Sequence, residues 1–325
     1  KGGNRRVSMA TAYIHPKLGQ PNLTMVLGAH VNRLRMSGKR VTGVEFVRDG
    51  QVESAQATRE VILSLGAINT PKVLMLSGIG DEADLKRHGI ATVQHLAGVG
   101  KNFQDHILVA GCVWEYQTPE PPRNNSAEFT FFCKSDPSLP APDLQPVIEE
   151  CPFASEVTAK QYDVPVGAAS AWTLAPGLVR PQSRGHVALA SDRPSDPALI
   201  HANFLSREAD VKALVRCVEI CREIGNSPGL KSFSKREVMP GPLKGKDLQE
   251  FIRNAAGTYF HQSCTAKMGR DQMSVVDGSL KVYGIDGLRI ADASVMPRIS
   301  TGNTMAPSVI IGERAAASIK TAHRI

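Results

Sequence analysis

Near its C-terminus the chain runs Gly287-Leu-Arg-Ile-Ala-Asp292-Ala-Ser-Val-Met-Pro297 and then, after a short gap, Gly302-Asn303-Thr304-Met-Ala-Pro307. The first part predicts an apolar β-strand with an aspartate at its end, and the second predicts a tight turn followed by a helix that begins at Pro307. Backbone N–H groups and the positive end of a helix dipole converge where a strand leads into a helix N-terminus. We therefore expect this segment to meet an electron-rich ligand.

A second segment of the same kind covers residues 60–80. Glu60–Leu65 predicts a buried strand, and Gly66-Ala67-Ile-Asn-Thr-Pro71 predicts the turn into a helix with a proline near its start. The two strand–turn–helix units are expected to share one sheet. The run Gly78-Ile-Gly80-Asp-Glu-Ala83 formally matches a GxGxxA dinucleotide fingerprint, but a helix end followed by a second helix over Asp81–His88 fits better, because no acidic residue ends the next apolar run.

Between these two units the sequence changes character. Leu205–Ile224 has apolar residues at helical spacing, and Asp247–Ala255 predicts another helix that leads towards His261. Earlier in the chain, residues 23–27 predict a strand, and two further runs over 31–48 predict a hairpin. Several runs, separated by proline-rich loops, predict the strands of a mainly antiparallel sheet: residues 107–117, 127–133, 143–150, 165–174 and 185–191.

Composition and charge exclude several classes of protein. The 325 residues are 42% hydrophobic and 21% charged, and the formal net charge of +7 is spread without a long Lys/Arg run, so nucleic-acid binding is not expected. The six cysteines form no CxxC motif and no Cys/His cluster, which predicts buried free thiols and no metal site. No apolar run reaches the roughly 18 residues that span a bilayer and no signal peptide opens the sequence, so we expect a cytoplasmic protein without a membrane span.

Four segments together resemble one family, the glucose–methanol–choline (GMC) flavin oxidoreductases. One of these segments alone would be weak support, but the four follow the family's order and cover nearly the whole chain. They are Gly66-Ala-Ile-Asn-Thr-Pro-Lys-Val-Leu-Met-Leu-Ser-Gly-Ile-Gly80, Gly98-Val-Gly-Lys-Asn-Phe-Gln-Asp-His106, Arg180-Pro-Gln-Ser-Arg-Gly-His-Val-Ala-Leu-Ala-Ser191 with Asp196-Pro197, and Thr258-Tyr-Phe-His261-Gln-Ser-Cys-Thr-Ala-Lys-Met-Gly269 with the segment quoted first.

The resemblance implies a fold of the α/β plus α+β class. Part of a FAD-binding Rossmann-like domain, discontinuous over residues 1–106 and 256–325, would carry an interleaved antiparallel-sheet substrate-binding domain over residues 107–255. Family members begin with a strand, a GxGxxG turn and a helix that hold the FAD pyrophosphate, and this sequence has no such segment. The resemblance therefore implies that the chain is the C-terminal portion of a longer enzyme, whose missing N-terminal part is an expected partner.

Roles for individual residues are implied in the same way. His261 matches the catalytic histidine, which would take the proton of the substrate hydroxyl, and Asn303 matches the second catalytic position, where its amide would hydrogen-bond the substrate oxygen. Cys264 stands where the family commonly has glycine, which puts the local turn and pocket volume in question. FAD contacts are implied for Val31, Gly66, Ala67, Asp292, Ala293, Asn303, Thr304 and Met305. The candidates for the substrate pocket are Phe131, Phe132, Trp172 and Cys264.

Simpler interpretations stay open for these residues. A lone histidine, an asparagine in a Gly-Asn turn and an aspartate after a strand are common structural features, and Val31 could be an ordinary core residue. The three aromatic side chains could equally fill an apolar core face. Asp105 and His106 belong to a family motif and are interpreted as structural.

The implied function is the FAD-dependent oxidation of a primary alcohol to the aldehyde. The small-molecule alcohol would give its hydroxyl proton to His261 and a hydride to flavin N5, and O2 or another electron acceptor would reoxidise the flavin. Two other functions stay open: a lyase of the same family, in which the flavin performs no redox chemistry, and an inactive fragment with a structural or binding role.

Overall fold

The computed structural model describes residues 7–123, 126–127 and 129–325. Short π-helical and 3-10 turns lie at Ala10–Ile14, His15–Lys17 and Ala293–Val295. The described helices are α1 (Gly66–Leu76), α2 (Glu82–Arg87), α3 (Glu156–Gln161), α4 (Glu208–Gly225), α5 (Gly245–Ala255) and α6 (Met305–His323). The described strands are β1 (His30–Ser37), β2 (Arg40–Arg48), β3 (Gln51–Gln56), β4 (Val61–Leu63), β5 (Ile79–Gly80), β6 (Gln94–His95), β7 (Ile107–Val109), β8 (Cys112–Tyr116), β9 (Phe129–Thr130), β10 (Val147–Glu149), β11 (Ala171–Ala175), β12 (Gly177–Leu178), β13 (His186–Ala188), β14 (Leu199–His201), β15 (Ser234–Met239), β16 (Ala256–Thr258) and β17 (Leu288–Ile290).

The two strand–turn–helix units of the sequence meet as predicted. β4 and β17 run parallel and pair directly, with Leu63 opposite Ile290, so the helices α1 and α6 both begin beyond the carboxyl ends of adjacent strands. The predicted hairpin is also confirmed, as the β1–β2 pair of an antiparallel sheet of order β1-β2-β3. Asp81 caps the N-terminus of α2 with its carboxylate, which confirms the helix preferred there over a dinucleotide fingerprint.

A five-stranded antiparallel sheet, of order β15-β8-β11-β10-β9, forms the middle of the chain. α4 packs on it through an apolar face that contains Val211, Leu214 and Val218, which confirms the amphipathic pattern. Cys217 and Cys221 lie on the same buried face as free thiols. This helix face and the sheet beneath it bury each other and form a separate hydrophobic core in the middle of the chain.

Several strand predictions were wrong, in whole or in part. Residues 23–27 form no strand, and Leu27 is 75% exposed. The strand predicted over 185–191 exists as β13, but it pairs with β14 instead of joining the antiparallel sheet, and Leu189 beyond its end packs in the core that contains α1. Only Phe129–Thr130 of the predicted strand 127–133 is a strand, and residue 128 lies outside the described residues. β propensity indicates an extended backbone but not its partner, which tertiary packing decides.

Buried apolar side chains form two large groups. One lies around α4, α5 and strands β8 and β11, and the other lies around α1, β1 and β17. The antiparallel pair of β7 and β16 runs between them, with Ile107 opposite Thr258. This pair brings His106 and His261 together, since each follows or precedes the pair by a few residues. Among the described residues, no helix combines the length and the apolar character that a membrane crossing needs.

Candidate active site

The backbone around His261 is held by an aspartate from a distant segment. Gln104 and Ser263 form an antiparallel bridge, and Asp105 next to it is 1% exposed. One carboxylate oxygen of Asp105 accepts the His261 N–H at 2.9 Å, and the other accepts the Thr258 hydroxyl. Burial raises the pKa of Asp105 to about 6, although the hydrogen bonds it accepts work in the opposite direction. Asp105 therefore fixes the loop that carries His261.

The His261 side chain lies at the centre of a set of polar contacts. Its Nδ1 atom lies 2.9 Å from Nδ1 of His106, and its Nε2 atom lies 3.4 Å from Nδ2 of Asn303. Burial lowers the pKa of His261 below its ordinary value, so the imidazole is neutral at neutral pH. A neutral imidazole has one nitrogen with a free lone pair, which can accept a proton from a hydroxyl group.

Asn303 is oriented from its other side by Gln145. The Gln145 amide Nε2 donates to Oδ1 of Asn303 at 2.9 Å, which leaves the Asn303 Nδ2 group to face His261. Gln145 is 1% exposed, and its Oε1 atom has no hydrogen-bond partner among the described residues. An unpaired buried amide oxygen is costly unless a ligand or water donates to it.

Two residues of this site were not assigned to it from the sequence. His106 was interpreted as structural, although it belongs to a recognisable motif. Gln145 carried no signal at all, because a single glutamine within a strand-like run has no characteristic spacing.

The predicted FAD contacts at the strand ends form a hydrogen-bonded group around Asp292. Its Oδ2 accepts the Gly66 N–H at 3.0 Å and the Thr70 hydroxyl at 2.6 Å, and its Oδ1 accepts the Ser294 N–H at 2.8 Å. Asp292 therefore joins the turn after β4 to the turn after β17. Gly66 has φ +78°, and a Cβ atom placed there would meet nothing within 4 Å, so open space adjoins this turn.

Ala67 and Ala293 link these turns to the His261 segment. Pro71 has no N–H to donate back to the Ala67 carbonyl inside α1, and this carbonyl accepts the Thr265 hydroxyl instead, at 2.6 Å. The Ala293 carbonyl accepts the Cys264 N–H at 3.1 Å. Through these two bonds the loop that carries His261 is fixed against both strand–turn–helix units.

The N-terminus of α6 lies directly after Asn303. Thr304 is the N-cap residue and makes no side-chain capping bond, so its hydroxyl leaves the N–H groups of the first turn uncapped. Met305 is 60% exposed. Open space beside Gly66 and a helix N-terminus without a side-chain cap fit the flavin that the resemblance implies, because backbone N–H groups at a helix N-terminus stabilise an electron-rich ring. Val31, by contrast, lies on β1 opposite Phe46 and packs against the core around α1.

The predicted pocket residues lie in different surroundings. Phe132 adjoins the turn before Asn303, since a Cβ atom added at Gly302 would lie 3.3 Å from the phenyl ring. Phe131 stacks on Phe129 with ring centroids 5.7 Å apart. Trp172 is buried in the antiparallel sheet, where it stacks on Trp114 at 4.6 Å between ring centroids.

Cys264 is buried beside Met296 and Ile299, and burial raises the pKa of its thiol to about 12. Its φ of +75° lies in the left-handed region, which explains why a glycine suits this position in the family pattern. Within the described residues, no group of three or more His, Cys, Asp or Glu side chains is placed to hold a metal ion.

Two family models, both described as GMC oxidoreductase, match the chain. The model of the N-terminal region matches residues 2–108, and the model of the C-terminal region matches residues 181–312. Mitochondrial choline dehydrogenase of Mus musculus is 38% identical to the chain, with 97% of the chain and 56% of that protein covered. Alcohol dehydrogenase (acceptor) of Pseudomonas putida is 36% identical, with 96% of the chain and 60% of that protein covered.

A crystal structure of pyridoxine 4-oxidase from Mesorbium loti has the same fold. It superimposes with a TM-score of 0.90 at 30% sequence identity, over 97% of the chain and 62% of that protein. This similarity confirms the predicted combination of α/β and α+β structure. The chain thus spans between 56% and 62% of the length of these three proteins. Because the two models of one family together match well over half of the chain, the chain belongs to the GMC oxidoreductase family.

Proposed function

We propose that the chain carries the proton-accepting part of an FAD-dependent enzyme that oxidises a primary alcohol to the aldehyde. The main support is the position of His261, whose neutral imidazole lies with Nε2 3.4 Å from the Asn303 amide. A base and a hydrogen-bond donor side by side are what a hydroxyl group needs when it loses its proton. The relatives named as choline and alcohol dehydrogenases support the same class of substrate.

His261 and Asn303 have separate roles in the proposed reaction. The substrate hydroxyl transfers its proton to Nε2 of His261, while Nδ2 of Asn303 donates a hydrogen bond to the substrate oxygen and positions it. An asparagine amide cannot take up a proton over the working pH range, so the base function falls to His261. Bound FAD would supply the acceptor for the hydride from the alcohol carbon, and O2 or another electron acceptor would reoxidise it.

The residues that would hold the cofactor lie at the carboxyl ends of β4 and β17. Gly66 and Ala67 would let their backbone approach it, and Asp292 and Ala293 would contact its sugar-alcohol chain or pyrophosphate. The backbone N–H groups at Thr304 and Met305 would face the pyrimidine part of the ring, where negative charge collects on reduction. Val31 would contact the adenine through its backbone on β1.

We also propose that residues 1–106 and 256–325 form part of the FAD-binding domain and residues 107–255 form the substrate-binding domain. A further part of the same enzyme, with a GxGxxG turn, would complete the cofactor site. The shares of 56% to 62% of the relatives' lengths support this proposal. The apolar side chains exposed along α6 support it too, because Met305 and Ile310 are each 60% exposed and would be covered by a neighbouring element.

Anaerobic flavin reduction tests the proposed function. The complete enzyme with bound FAD is mixed with choline and a series of primary alcohols in a stopped-flow instrument, and we expect at least one alcohol to bleach the oxidised flavin and yield the aldehyde. His261→Asn should lower the limiting rate of bleaching by 10²- to 10⁴-fold, whereas His15→Asn, at an exposed position, should leave it unchanged.

The other outcomes separate the remaining functions. Substrate turnover without bleaching would favour a lyase, and an enzyme that binds FAD but reacts with no alcohol would favour a structural or binding role. Hydride transfer in His261→Asn within a few-fold of the wild-type rate would exclude His261 as the base.

A further inference from the structure

His106 connects the side chain of His261 to a backbone carbonyl group. It is 0% exposed, and its Nε2 atom lies 2.9 Å from the carbonyl oxygen of Ser300. Its Nδ1 atom lies 2.9 Å from Nδ1 of His261, with the two rings 79° apart. The position of His106 is fixed by its backbone as well, since its carbonyl accepts the Tyr259 N–H at 3.0 Å.

Only one assignment of protons satisfies these contacts. A carbonyl oxygen can accept but never donate, so Nε2 of His106 must carry a proton. Burial lowers the pKa of His106 to about 4, so the ring is neutral and its Nδ1 carries a lone pair. The partner of that lone pair must be a donor, and therefore Nδ1 of His261 carries a proton. Since His261 is neutral as well, its Nε2 carries the free lone pair.

The hydrogen-bond directions continue from His261 to Asn303 and Gln145. The lone pair on Nε2 of His261 requires a donor from Asn303, so the Nδ2 group of that amide must face the imidazole. Oδ1 of Asn303 then faces Gln145 and accepts from its Nε2. Each orientation follows from the previous one, and the series begins at the carbonyl of Ser300.

We propose that His106 is a positioning residue that holds His261 in its Nδ1–H tautomer, so that Nε2 is presented as the proton acceptor. The proposal rests on the proposed function in one respect only, namely that Nε2 of His261 receives the substrate proton. In that step the O–H bond of the alcohol breaks and an Nε2–H bond forms, while the Nδ1–H group of His261 keeps its bond to His106. No proton passes through His106, whose role ends with the choice of tautomer.

If the hydrogen-bond acceptor at position 106 is lost, His261 should adopt its other tautomer in part of the molecules. Without a partner for Nδ1, His261 can place its single proton on Nε2, where the group is a donor and cannot act as the base. The consequence is a smaller fraction of competent enzyme, with little change in how the alcohol binds.

Two substitutions at position 106 separate this role from simple packing. Phenylalanine has a ring of similar size without a nitrogen, so His106→Phe removes the acceptor. Asparagine can place Oδ1 near the position of the histidine Nδ1, so His106→Asn loses the ring but retains an acceptor for the Nδ1–H group of His261.

Nitrogen-15 NMR of the full-length protein labelled at histidine reads the tautomer directly and does not require turnover. We expect the wild type to show His261 protonated at Nδ1 and His106 protonated at Nε2, the Phe variant to shift His261 towards Nε2–H, and the Asn variant to keep Nδ1–H. In the stopped-flow assay the Phe variant should lose about 10- to 100-fold in the limiting rate of flavin reduction with less than a threefold change in KM, and the Asn variant should recover most of that loss.

Wild-type His261 protonated at Nε2 would overturn the proposal, and so would a Phe variant whose His261 keeps the Nδ1–H form. The wild-type measurement decides even if the Phe variant fails to fold. If His261 has the expected tautomer but no alcohol reduces the flavin, the proposed function fails while the assignment of His106 stands.

Discussion

The buried carboxylate of Asp105 should make the stability of the protein depend on pH in an unusual direction. Its raised pKa of about 6 means that the folded state binds this proton more tightly than the unfolded state, where an aspartate has an ordinary pKa of about 3.9. Stability from this group is therefore fully present below the unfolded pKa and is lost as the pH rises through the folded one. With about 1.4 kcal/mol for each pKa unit, the loss between pH 4 and pH 7 is about 2 kcal/mol, because the unfolded carboxyl is already half ionised at pH 4.

Asp105→Asn removes this dependence and retains much of the geometry. The amide oxygen can still accept the His261 N–H that Oδ1 of Asp105 accepts. We expect the free energy of unfolding of the variant, relative to wild type, to rise by about 2 kcal/mol between pH 4 and pH 7. Urea unfolding followed by circular dichroism at several pH values measures this difference.

Asp136→Asn is the matched control. This aspartate is exposed, and hydrogen bonds from Ser138 lower its pKa, so the variant should lose stability relative to wild type as the pH rises, which is the opposite direction. A stability difference for Asp105→Asn that stays constant from pH 4 to pH 7 would refute the reasoning, because it would mean that burial does not favour the protonated carboxyl.

Three further predictions concern Gln145, Cys264 and Glu60. Gln145→Glu should turn the Asn303 amide over, because a carboxylate can only accept a hydrogen bond. The resulting loss in the rate of flavin reduction should grow with pH as the new carboxyl group ionises. A loss that does not depend on pH would contradict this prediction. Cys264→Gly should be more stable than Cys264→Ala by about 1 kcal/mol in urea unfolding, the reverse of the usual order, because φ is +75° there. Burial alone would raise the pKa of Glu60, but hydrogen bonds from His323 and Arg289 outweigh burial and lower it. Glu60→Gln should therefore cost about 3 kcal/mol in the free energy of unfolding at pH 7, since Arg289 is 1% exposed and would lose its counter-charge. The cost should shrink as the pH falls through the lowered pKa of Glu60, and a cost that stays constant down to acid unfolding would count against this ion pair.

Local patterns in the sequence were sufficient for much of the fold. The helical spacing of α4, the aspartate cap of α2 and the β1–β2 hairpin are encoded within a few residues each, and all three were predicted. The parallel pairing of β4 with β17 was also predicted, because two strand–turn–helix units imply one sheet. The strand β13 was placed in the wrong sheet, since its neighbours are chosen by tertiary contacts such as the bond from the Val187 N–H to the Gly100 carbonyl at 2.7 Å.

The candidate site, like the fold, was predicted from the sequence only in part. His261 and Asn303 were proposed together from the family resemblance, and their side chains lie 3.4 Å apart in the structure. Motif spacing carried that information because the two residues occupy recognisable positions in short segments. The tautomer of His261 depends instead on His106, and the orientation of Asn303 depends on Gln145, through contacts between residues 155 and 158 positions apart in the chain.

By itself, the sequence determined which residue types are available at the carboxyl ends of two strands and which of them can do acid–base chemistry. Only the tertiary structure decided which nitrogen of His261 is free to act. The physical reason is that a hydrogen bond has a direction, and this direction originates at the Ser300 carbonyl and passes through the buried side chain of His106 to that of His261, which local sequence patterns do not connect.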